Sequence, residues 1–203
     1  MNVSRGLLDG MDTTGLNTAL SEATCLGLEV DQTEGRLNLE LEVLTLPPDG
    51  TAIEDHRVRL TFTGVSRVAA SMRVQRWDDV VATVLPLRLD GLDEGIRSFG
   101  GGRLHGWEFI DVDDSGWALW GEFLSFDTKI DDHISAHVLE FSQEEGIDPR
   151  ELDVRVWFDN MIIHDSSGNE IPLREFIAGG VRWWKAHDAG DPQTIRPGIV
   201  PQL

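Results

Sequence analysis

Residues 58–69 read VRLTFTGVSRVA, and residues 154–165 read VRVWFDNMIIHD. Val, Arg and Phe recur at Val58/Val154, Arg59/Arg155 and Phe62/Phe158, and Leu60 is answered by Val156. In both stretches the apolar residues take every second position, which in an extended chain gathers them on one face and turns the arginine to the other. Each copy therefore reads as a half-buried strand. Upstream of each lies a strand-like stretch broken by an acidic turn: Leu28 to Leu46 around Asp31 to Gly35, and Glu108 to Phe126 around Asp113 to Gly116. The pattern predicts a duplicated unit of strand, turn, strand, connection and strand, with Lys129 to Gly146 inserted in the second copy.

From Arg36 to Leu46 the alternation is strict, with Leu37, Leu39, Leu41 and Val43 on one face and Asn38, Glu40 and Glu42 on the other. That is a strand with one wet side, ended by Pro47-Pro48-Asp49-Gly50 because proline cannot donate to a ladder and Asp-Gly favours a turn. After Trp77-Asp78-Asp79 comes the run VVATVLPLRL, where Pro86 argues against a long central strand. Short helices are expected at Thr14 to Ala23, capped by Thr13 or Thr14, and at Asp90 to Phe99. The insert is predicted helical, with Ile130, Ile134, Val138 and Phe141 on one stripe. Pro172 opens a last helix presenting Leu173, Phe176, Ile177, Val181 and Trp184. Gly179-Gly180 weakens it by about 1 kcal/mol per glycine relative to alanine, which implies a close approach by another element.

The fold class read from this is α+β, mainly antiparallel β, with two related strand-turn-strand halves and two or three covering helices. The chain divides into an N-terminal segment with a short helix (1–24), a first β-rich half (25–99), a second with the inserted and C-terminal helices (103–187), and an extended tail (188–203). Gly100 to Gly102 marks the boundary between the halves.

The chain has 203 residues, enough for a real core, and carries 36 acidic against 17 basic residues for a formal charge of -19. Such a field repels phosphate backbones and anionic lipid, so nucleic acid and membrane surfaces are disfavoured as partners; plain solubility is the simpler reading of the charge, and a cationic partner is the functional one. Cys25 is the single cysteine, which excludes an internal disulfide and a thiolate zinc cluster and fits a reducing cytoplasm. No apolar run is long enough to span a bilayer, and the first residues lack the apolar core of a signal peptide.

Several constellations could carry chemistry. Asp111 to Glu122 reads DVDDSGWALWGE and satisfies the spacing of a calcium loop, but the glycines before it cannot sustain the entering helix, so a hairpin turn is expected. On a helix, His133, His137, Glu140 and Glu144 would form one stripe, making His133, His137 and Glu140 the candidate ligands for a divalent metal and a metal-assisted hydrolysis. Asp159, His164, Asp165 and Glu170, and the pair Asp55-His56, place carboxylates beside imidazoles as acid/base candidates, with solvated surface charge as the plainer reading. No nucleophile elbow, phosphate loop or dinucleotide fingerprint is present.

Adjacent helical residues point about 100 degrees apart, so Trp183 and Trp184 cannot easily enter one core. With Trp157, whose neighbours Val156 and Phe158 claim the opposite face, they are the candidate ligand-binding or interface residues. Arg174, Arg182 and Lys185 beside them suggest a homodimer through this end, with the tail crossing onto the second copy. The function read from these features is a non-catalytic cytoplasmic acidic module that binds a protein partner or its own second copy, inhibition of a basic partner being one form, with no cofactor expected. The alternatives are the metal-dependent hydrolase and a small-ligand-binding β domain.

Overall fold

Leu37, Leu39 and Leu41 are fully buried while Glu40 and Glu42 stand in solvent, and the strand they form, β2 (Arg36–Glu42), is the inner neighbour of β1 (Thr24–Asp31). The turn between them is held by Asp31 Oδ1, which accepts from the N–H groups of Thr33 and Glu34, and by Gly35 at φ +56°. β2 pairs with β3 (Arg57–Thr63), the first recurrent strand, whose other edge takes β10 (Asn160–Asp165). The computed structural model describes residues 12–51, 55–99, 103–111, 121–145, 148–196 and 199.

The second sheet runs β5 (Thr83–Val84), β4 (Arg67–Val74), β9 (Asp148–Phe158), β8 (His137–Glu145) and β6 (His105–Asp111), with β7 (Phe126–Lys129) also on β4. Every pairing is antiparallel, and β5 is two residues long, as Pro86 predicts. β3 runs on through 64–66 into β4, and β9 runs on through Asp159 into β10, so two long bent strands each begin in one sheet and end in the other. The bends touch. Gly64 takes φ +64°, a Cβ on it would come within 2.9 Å of the Asp159 Cβ, and Asp159 N–H donates to Thr63 O at 3.0 Å.

The order β1-β2-β3-β10 in one sheet parallels β6-β8-β9-β4 in the other, so the Val58 and Val154 strands hold like positions. That is a correspondence of strand order, and internal duplication stays a proposal. Strands from both sides of Gly100 to Gly102 interleave in both sheets and share one apolar core, from Leu39, Leu60 and Phe62 to Phe141, Val154 and Phe158. The proposed hinge and the turn at Asp113 to Gly116 lie outside the described residues, as does 112–120 of the calcium-like stretch. β6, expected to form a hairpin with Trp117 to Phe126, pairs with β8, and Phe126 opens β7 on β4.

Among the described residues three α-helices cover the sheets. α1 (Thr13–Leu20) is capped by Asp12, whose carboxylate accepts from Gly15 N–H at 2.8 Å, so the cap lies one residue before the threonines expected to supply it. α2 (Leu92–Arg97) follows a 3-10 turn at Leu89–Gly91, and α3 (Leu173–Asp188) begins directly after Pro172. α1 and α3 pack together, with the Cβ-less face of Gly180 against Ala19 and that of Gly179 against Thr45, the close approach that the paired glycines imply. No helix of the described residues is long and apolar enough to cross a membrane.

The predicted inserted helix is absent among the described residues: 129–145 holds the end of β7, a loop, and β8. Val138 and Phe141 fit a helical stripe, but Leu139 and Phe141 also fit a strand alternation, and β6 and β9 flank this segment and supply its backbone partners. Ile134, placed on the buried stripe by the helical reading, is 82% exposed.

Candidate functional site

Loss of the helix separates the predicted metal ligands. His133 lies in the loop before β8. His137 and Glu140 are three residues apart on a strand and so face opposite sides. His137 is buried against the Phe158 ring, at 5.7 Å between centroids, while Glu140 is on the other face, accepting from Arg155 Nε at 2.6 Å. Burial pushes the Glu140 carboxyl above its ordinary range, with Arg155 opposing the shift. Among the described residues no group of three or more His, Cys, Asp or Glu side chains is placed to hold a metal ion.

His133 has its own surroundings. Its Nδ1 is 3.0 Å from Asp131 Oδ1, and its Nε2 is 3.0 Å from Asp159 Oδ2, 3.2 Å from Gly64 O and 3.4 Å from Ser135 Oγ. Asp131, His133 and Ser135 thus have the order of parts of a nucleophilic triad, but the proton positions oppose the chemistry. Both ring nitrogens face oxygen atoms, an arrangement that favours the doubly protonated ring, and an imidazolium cannot take the serine proton. Asp131 foremost, with Asp159, holds the His133 pKa above its ordinary value. Ser135 is 1% exposed, and its hydroxyl lies 2.8 Å from Gly64 O and 2.6 Å from Ser66 Oγ. The cluster therefore works as a latch: Asp159 also accepts from Ala136 N–H, so the 130–136 loop is tied to both sheet-crossing bends.

Trp157 lies on the outer face of the second sheet with Ala69 and Val138, 5% exposed, with the Arg67 guanidinium 4.9 Å above its ring. Trp183 and Trp184 are both buried, at 1% and 4%. Their rings meet edge to face at 5.0 Å; Trp183 stacks on His187, and Trp184 Nε1 donates to Thr18 O. Two layers absorb them, α1 on one side and the Leu44 to Leu46 segment on the other, so neither presents the exposed anchor that an interface would use. The tail, expected to cross to a second copy, folds back on α3 as far as Thr194, which is fully buried and accepts from His187 at 3.2 Å.

The exposed aromatic is elsewhere. Trp77 is 101% exposed, whereas the other four described tryptophans are 6% or less. It sits in a turn fixed by reciprocal bonds, Asp79 N–H to Arg76 O at 3.0 Å and Arg76 N–H to Asp79 Oδ2 at 2.9 Å. Val80 and Val81 follow at 95% and 67% exposed, and Val84 lies in β5, at one end of the strand order of the second sheet. The sequence offers one signal for this site, a Trp followed by two aspartates and breaking no alternation, and it is easily read as an ordinary turn. Asp159, too, serves His133 rather than its sequence neighbour His164.

No protein-family model matches the chain, and no curated protein or solved structure shows significant similarity to it.

Proposed function

We propose that the chain is a non-catalytic, cytoplasmic protein-interaction module that docks a basic protein partner through Trp77, Val80, Val81 and the edge strand β5. The observation that carries this reading is the full exposure of Trp77 on a hydrogen-bonded turn, in a molecule that buries its other described tryptophans. A rigid exposed Trp is the residue type that anchors interfaces, because it brings a large apolar area at little conformational cost. The exposed valines extend the patch, and the two aspartates within it, on a chain of charge -19, favour a cationic surface opposite. β5 adds backbone groups at a sheet edge, where an extended segment can pair. A reducing compartment suits a single cysteine that is free and buried.

Selection of a displayed random-peptide library against the intact chain tests the reading. Enriched sequences should combine Lys or Arg with aliphatic residues, and Trp77→Ala should weaken their binding by about tenfold or more. Enrichment of acidic or uncharged sequences, or equal binding by Trp77→Ala, overturns it. Light scattering on the same sample separates self-association, which would be lost with Trp77→Ala if a second copy uses this patch.

A further inference from the structure

On α3, Arg174, Ala178 and Arg182 recur at every fourth residue and share one stripe. The stripe forms one wall of a groove of about 480 Å³; Thr45 to Pro48 and the start of β3 form the other, and Val43, Val58 and Phe176 are its buried apolar floor. These two arginines lack the ion pairs that most of the described arginines make. With acids outnumbering bases two to one, Arg57, Arg59, Arg67, Arg73, Arg97 and Arg155 are all ion-paired. Arg174 has no such partner among the described residues, and Arg182 donates only its Nε, to Leu46 O at 2.9 Å, leaving the outer guanidinium nitrogens unused.

The acids along the groove are mostly committed. Asp55 takes Arg57 in a two-point pair at 2.9 and 2.7 Å, and Asp165 is held by Asn169 and the N–H groups of its own turn. Glu175 remains, about 100 degrees round the helix from Arg174. Two uncommitted guanidiniums therefore face an apolar floor against one uncommitted carboxylate. Leu46 N–H donates to Gly179 O at 3.1 Å, which ties the two walls of the groove together.

We propose that this groove binds a small amphipathic carboxylate, its aliphatic chain on Val43, Val58 and Phe176 and its carboxylate held by Arg182 and Arg174. The volume lies in the range of small-molecule sites, and a guanidinium matches a carboxylate in two parallel hydrogen bonds. The apolar floor selects an aliphatic body, and the arginines select the anion over the alcohol or the amine of equal length.

Titration of decanoate, decanol and decylamine into the full chain, below micelle formation and followed by calorimetry, is the test. Decanoate should saturate one site, with decanol about tenfold weaker or worse and decylamine silent. Arg174→Gln, a change of an unpaired exposed side chain, should weaken decanoate about tenfold while leaving the melting temperature in place. Arg182→Gln should weaken it further. Absence of saturation, several equivalents bound, decanol binding as well as decanoate, or an unaffected Arg174→Gln each overturns the proposal. So does an acidic peptide that occupies the groove and is not displaced by decanoate.

Discussion

Phe62 and Phe158 meet edge to face, their ring centroids 4.9 Å apart and their planes at 74°. They are the matching residues of the two recurrent stretches, one on β3 and one on β9, and each is fully buried. The recurrent phenylalanine of the two stretches thus packs against its own counterpart in the shared core. Edge-to-face pairs contribute about 0.5–1.5 kcal/mol beyond their buried area. A double-mutant cycle of Phe62→Leu and Phe158→Leu, followed by urea unfolding, should return a coupling energy in that range; effects that simply add would mean the contact is incidental.

Gly180 allows α3 to pass over Ala19 of α1, and a Cβ there would overlap the Ala19 Cα and come within 2.6 Å of its Cβ. Alanine gains about 1 kcal/mol over glycine in helix propensity, but overpacking against a backbone atom costs about 1–3 kcal/mol. Gly180→Ala should therefore destabilise the chain by up to about 2 kcal/mol on balance. Adding Ala19→Gly should restore only part of the loss, because the nearer overlap is with the Cα. A Gly180→Ala chain more stable than the parent would show that the helices can separate freely.

The His133 latch has a defined pH window. Its folded pKa is raised above the ordinary histidine value, so the stabilisation it brings is complete below about pH 6.5 and is lost as pH rises through the folded value. Asp131 is shifted the other way, chiefly by the His133 N–H and side chain, so its share is present above about pH 3.8 and is lost as pH falls through its folded value. The gap in unfolding midpoint between the parent and His133→Gln should be widest at mildly acidic pH and close toward alkaline pH. A gap independent of pH would remove the ion pair from the account.

Cys25 sits in the core beside β2, and burial pushes its thiol up to about 12. At pH 8 the thiolate fraction is then on the order of one in ten thousand. The native chain should be inert to a disulfide reagent and react only as fast as it opens, so that the labelling rate follows the unfolding rate through a urea series. Rapid labelling without denaturant would contradict the burial.

Part of this molecule was legible residue by residue. Leu37, Leu39 and Leu41 alternate with polar neighbours, and Val58, Leu60 and Phe62 do the same, so the period of two determined the strands, the buried face and the antiparallel class before any contact was known. Gly179-Gly180 announced a close approach by another element, because two glycines within a helix are costly unless something packs against them. Pro86 announced the short β5.

Other decisions belonged to the tertiary structure. Residues 137–145 carry apolar side chains that suit either period, and pairing with β6 and β9, neither predictable from the segment itself, made them a strand and dispersed His133, His137 and Glu140. Trp183 and Trp184 look alike in the sequence to any adjacent pair, and they are buried because α1 and the Leu44 to Leu46 segment, far away in the chain, cover both sides of α3. Trp77 is exposed for the converse reason: among the described residues no distant element covers its ring. Periodicity is a local property and fixes which face of an element is apolar, whereas burial of a given side chain depends on what the rest of the chain brings against that face.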